Sequence, residues 1–371
     1  MLLRLVVAMI VAVTGALAAG CAASSSIVGP APDGSADQSA PPADAPVADA
    51  ALTDQPIAEA PPAPDAPVVE TPPADAPAAE ASPAADGPPG KVAHRVLTSV
   101  SDKGIMAIVT KDGQIEWQYN VLSVGSEAND AWMLPNGDIV FSYVGGARQI
   151  TAAKATVWNY AAPAGTEVQS CQPLANGNFL IGEAHAGGVG LLRELDGTGK
   201  VVSTITITMP GGFAPHDQFR EVRKTPQNTY LVTYLASNKA YEFDGTGKMM
   251  RVFPCGSFVA VRLPDGNTLI ACGDGHRVIE VDPQDKIVWQ LTETEVPGNR
   301  LGFVAGLQRL PNGNTIICNY PGHSGLTSQP QAFEVTRDKK LVWEISNAQL
   351  GWISNLEVLD ADAKVDGAIL R

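Results

Sequence analysis

Residues 259–291 read Val259-Ala-Val-Arg262, Leu263-Pro-Asp-Gly266, Asn267, Thr268-Leu-Ile-Ala-Cys272, Gly273-Asp-Gly-His276, Arg277, Val278-Ile-Glu-Val281, Asp282-Pro-Gln-Asp-Lys286 and Ile287-Val-Trp-Gln-Leu291. β-Branched residues alternate between turn signals, which predicts four short strands and no helix. Asn-Gly and Asp-Gly dipeptides accept positive φ and so make tight hairpins. The first turn recurs as Leu134-Pro-Asn-Gly137, Leu174-Ala-Asn-Gly177 and Leu310-Pro-Asn-Gly313, with a worn copy at Thr225-Pro-Gln-Asn228. The second turn recurs as Lys111-Asp-Gly-Gln-Ile-Glu-Trp117 and Thr336-Arg-Asp-Lys-Lys-Leu-Val-Trp343, and without the Trp as Asp196-Gly-Thr-Gly-Lys200 and Asp244-Gly-Thr-Gly-Lys248. Successive copies start 38 to 51 residues apart, the period of propeller blades.

Six copies fit between residues 95 and 360. The first lacks an inner strand, because Arg95–Val100 already matches a second strand. Gly351–Leu359 matches an inner strand. It is therefore expected to complete the first blade and close the ring, which removes exposed strand edges. The expected fold is all-β, a six-bladed β-propeller of four-stranded blades over residues 91–371.

The rest of the chain speaks of address. Arg4 and the apolar run Leu5–Leu17 have the layout of an export signal over residues 1–20. The following Leu17-Ala-Ala-Gly-Cys21 resembles a bacterial lipobox, which implies lipidation of Cys21. A triacyl group supplies roughly 0.8 kcal/mol per buried methylene, enough for stable membrane anchoring. Residues 22–90 hold 16 Pro, 11 acids, no Lys or Arg and no aromatic residue. Such a stretch cannot offset its ordering entropy and reads as a disordered acidic linker, with an extended reach of at most roughly 200 Å. The expected location is the periplasmic or cell-surface side of a bacterial membrane. Ala22 points to the outer one by analogy with model bacteria. Residues 91–371 carry 28 acids against 24 bases, a net of −4, which argues against nucleic acid as a partner.

The turn motif Leu-Pro-Asn-Gly-Asn-Thr, a strand, then Val-Asp-Pro-x-x-Lys-x-Val-Trp resembles two propeller families. One is the quinone-binding-type (PQQ-like) repeat and the other the six-bladed bacterial arylsulfotransferases. Trp289 and Trp343 match the blade-docking Trp of the first family, a packing residue. No adjacent Cys pair is present, so neither a quinone nor any other cofactor is expected. The arylsulfotransferase resemblance implies a central His nucleophile with Arg holding sulfuryl oxygens. His216 and Arg220 match by type and place.

Strand direction places the candidate residues. The two kinds of turn above share one face of the ring. His185, His276 and His323 sit in Gly-rich loops after second strands, on the opposite face, and His216 begins an inner strand there. Asp217, Asp274 and Asp130 are candidate binding residues with them. The functional reading is a site for a small ligand or an envelope protein on this face. The alternative is that each His serves its own loop. His185, His276 and His323 lie on separate blades, so no metal site is expected. His94, at the domain edge, reads as structural. Cys171, Cys255, Cys272 and Cys318 allow three pairings or four buried thiols, and Cys255 with Cys272 is the preferred pair.

Overall fold

A computed structural model describes residues 93–371 except 297, 299, 300, 326 and 366. The export signal, Cys21 and the linker lie outside the described residues. Six four-stranded antiparallel sheets follow one another around a ring. Blade 1 joins β24 (Ile353–Val358) to β1 (Val96–Val100), β2 (Ile105–Val109) and β3 (Ile115–Asn120). Blade 2 is β4 (Ala128–Met133), β5 (Ile139–Tyr143), β6 (Gly146–Ile150) and β7 (Thr156–Ala161). Blade 3 is β8 (Glu167–Pro173), β9 (Phe179–His185), β10 (Val189–Leu195) and β11 (Val201–Thr208). Blade 4 is β12 (Phe219–Lys224), β13 (Tyr230–Tyr234), β14 (Lys239–Phe243) and β15 (Met249–Val252). Blade 5 is β16 (Ala260–Arg262), β17 (Thr268–Ala271), β18 (Arg277–Val281) and β19 (Ile287–Thr292). Blade 6 is β20 (Phe303–Arg309), β21 (Thr315–Tyr320), β22 (Ala332–Val335) and β23 (Leu341–Ile345).

The strands of blade 5 fall within a residue or two of the turns that delimit them in sequence. Ring closure is as the repeat phase requires: β24 pairs antiparallel with β1, from Val96 opposite Val358 to Val100 opposite Ile353. A second fastening sits beside it. His94 Nδ1 meets Asp360 and its Nε2 meets Glu334, each at 2.8 Å. Burial pulls the His94 pKa down, but bonds to the two carboxylates outweigh it and the net shift is upward. This side chain ties the start of the ring to blade 6 and to the segment after β24.

Blades are joined through their inner strands. Met133 N–H donates to Glu357 (3.0 Å), Lys224 N–H to Gln172 (2.8 Å) and Val358 N–H to Gln308 (2.8 Å). Gln172 and Gln308 stand two residues before the leucine of an Asn-Gly turn, and Glu357 stands two before the equivalent Leu359, so one repeat position supplies the latch at three blade boundaries. Farther out, Trp289 Nε1–H donates to the Arg337 carbonyl of the next blade at 2.8 Å, and Trp117 does the same to Ala152 at 3.0 Å. These indoles pack and hydrogen-bond across blades. Cys255 and Cys272 are joined in a disulfide, with Cα atoms 5.2 Å apart. Cys171 and Cys318 are buried free thiols.

Gly306 is a packing requirement of the axis. A Cβ there would stand 2.7 Å from Asn355 Oδ1 and 3.0 Å from both Asn355 Cα and the Ser354 carbonyl. Two of those three neighbours are backbone and cannot swing away. Gly306→Ala is expected to cost about 1–3 kcal/mol through overpacking, read as a lower denaturant midpoint at unchanged slope.

Candidate functional site

The antiparallel topology puts the Asn-Gly and Asp-rich turns on one face, here the turn face. The loops bearing His185, His276 and His323 and the approach to β12 are on the other. On that second face Gly211 and Gly212, both at positive φ, open a loop that ends in a short helical turn, Pro215–Asp217. Gln218 pins the loop's base by donating to the carbonyls of His185 (2.6 Å) and Phe213 (2.8 Å). His216 then reaches Glu167, the first residue of β8, with Nδ1 3.0 Å from Oε2. That bond raises the His216 pKa, while burial and Arg220 oppose it. Glu167 also accepts from Gln169 (2.8 Å), and Gln169 from Asn129 (2.5 Å).

Arg220 is the unusual group. Its side chain is buried, with the residue 8% exposed, and it donates to its own neighbour's carbonyl, Phe219, at 3.4 Å. No carboxylate of the described residues pairs with it directly. Burial lowers its pKa, and the fields of Glu127, Glu167, Tyr320 and Asp217 act the other way. A buried guanidinium without a direct counter-ion is costly. Here the surrounding carboxylates offset part of that cost from a distance.

The other histidines are not gathered here. His185 bonds Glu183 at 2.6 Å, and Glu183 also holds Arg193 and the Tyr160 hydroxyl. His276 lies against the Gly302 carbonyl at 2.9 Å. His323 stacks on Phe303, ring centres 4.3 Å apart, with Asp274 3.7 Å away. Of the sequence candidates, the structure brings together His216, Arg220 and Asp217 as one group, and His323 with Asp274 as another.

Asp130 requires a correction. It is fully buried inside the ring and takes no place on the histidine face. Its carboxylate receives Arg223 (2.8 Å), Arg371 (2.5 Å), Asn355 (3.1 Å) and the Cys171 amide (3.2 Å). Asn355 in turn donates to Glu221 at 2.5 Å. Blades 1 and 4 are opposite each other in a ring of six, so this last bond crosses the axis. Arg223 also bonds Glu221 (2.5 Å) and the Arg371 carbonyl (2.6 Å). A polar layer thus closes the channel below the Arg220 mouth. Asp130, Glu221 and Asn355 each stand four residues before the turn position, at Leu134, Thr225 and Leu359. Polar residues recurring at one inner-strand position were the available signal for this layer. Arg371 had none, because residues 360–371 lie outside the repeat.

The layer, counted with Glu357, holds three carboxyls and two guanidiniums. Burial pushes Glu357 up to about 7, with Arg371 opposing. A carboxyl whose folded pKa exceeds its unfolded value favours the fold below the unfolded value, and that contribution is lost as pH rises through the folded one. Between about pH 4.5 and 7 stability is therefore expected to fall by on the order of 2 kcal/mol. Glu357→Gln should remove its share of that slope in urea titrations run at several pH values and leave the share of Glu221, which burial pushes up to about 8.

Fold and site define a ring-closed six-bladed propeller with an occluded axis and an arginine-centred mouth. The model of the Mal s 1 allergenic protein-like family matches residues 97–340, and the chain belongs to that family. A protein of unknown function from Bacteroides caccae is 31% identical, with a TM-score of 0.67 over 72% of this chain and 100% of its own. A virginiamycin B lyase from Staphylococcus aureus, solved with quinupristin, is 11% identical with a TM-score of 0.47, covering 67% of this chain and 84% of its own. No curated protein matches the sequence.

Proposed function

We propose that this protein is an exported, lipid-anchored propeller that binds a small polar ligand at the mouth formed by Arg220, His216 and Glu167. The observation that carries the reading is Arg220, a buried guanidinium without a direct carboxylate partner among the described residues. Glu127, Glu167 and Asp217 act on it electrostatically. A ligand that suits both offers an acceptor, such as a carboxylate, to Arg220 and a cationic or donor group to the flanking acids. The closed axis favours capture at the mouth over passage through the ring. Cys21 and the acidic linker supply the membrane anchor and the reach toward an envelope partner.

The test is a thermal-shift comparison of β-alanine, propionate and ethylamine at equal concentration, because a ligand that binds only the folded state raises its midpoint. β-Alanine is expected to raise the midpoint most. Equal effects from the three, or none, would overturn the reading.

A second reading rests on one bond. Glu167 holds His216 by Nδ1, which leaves Nε2 to act as a nucleophile, as the arylsulfotransferase resemblance implies. Nε2 would attack the sulfur of an aryl sulfate, the bond from sulfur to the aryl oxygen would break, and the aryl oxide would leave with the electron pair. The nearby carboxylates raise the cost of bringing in that anion. Intact mass after incubation with 4-nitrophenyl sulfate decides the point: a sulfuryl adduct lost in His216→Ala supports transfer, and an unmodified chain excludes it for this substrate.

A further inference from the structure

The turn face holds a cleft of about 1120 Å³ under the Asn-Gly turns of blades 2 and 3, reaching the worn turn of blade 4. The segment after β24 folds back to form one wall. Arg309 N–H donates to the Leu370 carbonyl at 2.9 Å, and the Arg371 guanidinium lies 4.2 Å from the centre of the Trp132 ring. Trp132, Leu134, Leu174, Phe179, Ile369 and Leu370 give the cleft an apolar body. Its described charged residues are Arg223, Lys224, Arg262, Lys364 and Arg371, with no Asp or Glu among the described lining. That is unexpected in a chain with a net charge of −14.

The five cations are not equally engaged. Arg223 and Arg371 belong to the axial layer, and Arg262 is paired with Glu242 at 2.6 Å. Lys224 is 3.6 Å from Glu194, a long contact, and Lys364 is exposed with no ion pair to a described residue. Trp132 Nε1–H, Arg262 Nε–H and Arg371 Nε–H are buried donors with no acceptor among the described residues. The wall therefore has unused donors and cations around an apolar hollow. Pockets of roughly 300–1,000 Å³ take drug-sized ligands.

We infer that this cleft binds an apolar organic anion of medium chain length, its body against Trp132, Leu174 and Ile369 and its carboxylate or similar head beside Lys224 and Lys364. The site is separate from the Arg220 mouth: the polar layer stands between them. The positive charge of the described lining selects the head, and the apolar wall supplies most of the affinity.

The test is titration calorimetry of the full chain with three probes of one tail length below their micelle concentrations: decanoate, decyl glucoside and decyltrimethylammonium. Decanoate is expected to saturate at a single site and to bind about tenfold tighter than the other two. Lys364→Glu, at an exposed position, should weaken decanoate about fivefold, and Lys224→Glu/Lys364→Glu more than tenfold. Equal binding of the three probes would overturn the inference, as would decanoate binding indifferent to the double reversal. Binding to phosphatidylglycerol vesicles without binding to decanoate monomers would also overturn it, since that would make the face a membrane-docking surface.

Discussion

Asp130→Ala is expected to destabilise the ring by about 3–5 kcal/mol, because it takes the shared carboxylate from two buried guanidiniums and leaves Arg371 with no close counter-ion among the described residues. Asp130 meets Arg223 through one oxygen and Arg371 through the other, and both arginine side chains are almost fully buried. Neither can turn to water. Glu221 still holds Arg223, but for Arg371 the remaining acid is Glu357 at 3.9 Å. At roughly 2–4 °C per kcal/mol for a domain of 150–250 residues, the midpoint should fall by on the order of 10 °C. Asp130→Asn keeps the shape and should cost less. Asp130→Ala combined with Arg371→Ala should cost clearly less than the sum of the two single changes, since one interaction is removed twice. A loss below about 1 kcal/mol for Asp130→Ala would refute the account of the layer as a paired, desolvated unit.

The blades were legible because hairpin chemistry is local. Leu263-Pro-Asp-Gly266 announces a turn whatever surrounds it, and five such signals at blade period, one of them worn, leave one arrangement for the strands between them. Closure by Gly351–Leu359 followed from phase alone. The site was legible only in part. His216 and Arg220 sit in a Gly-rich approach that stands out in sequence, whereas their partner Glu167 is 49 residues from His216 and is brought there by the packing of blade 3 against blade 4. Asp130 was placed on the wrong level because period-2 alternation separates the sides of a strand but does not fix depth along the axis. The cleft on the turn face depends on Lys364 and residues 367–371, which repeat nothing in the sequence.

Arg220→Met is expected to abolish ligand capture at the mouth and to leave the fold as stable or more so. The two effects come from one cause. Arg220 is buried without an ion pair to any described residue, so its charge is held at a cost, and replacing buried charged groups by apolar residues of similar volume is often neutral or stabilising by about 1–4 kcal/mol. Methionine fills much of the same space and adapts to irregular gaps. The flanking Glu127, Glu167 and Asp217 lose a favourable field on substitution, which works against the gain. Glu167 keeps its bond to His216, so the balance still favours the variant. The two readouts are the unfolding midpoint without ligand and the shift produced by β-alanine. A higher or equal midpoint with no shift is the signature of a residue retained for binding at the expense of stability. A large fall in the midpoint would instead show that the guanidinium is a structural member of the ring, fully compensated by the carboxylates around it, and the mouth would then lose its claim to be the binding site.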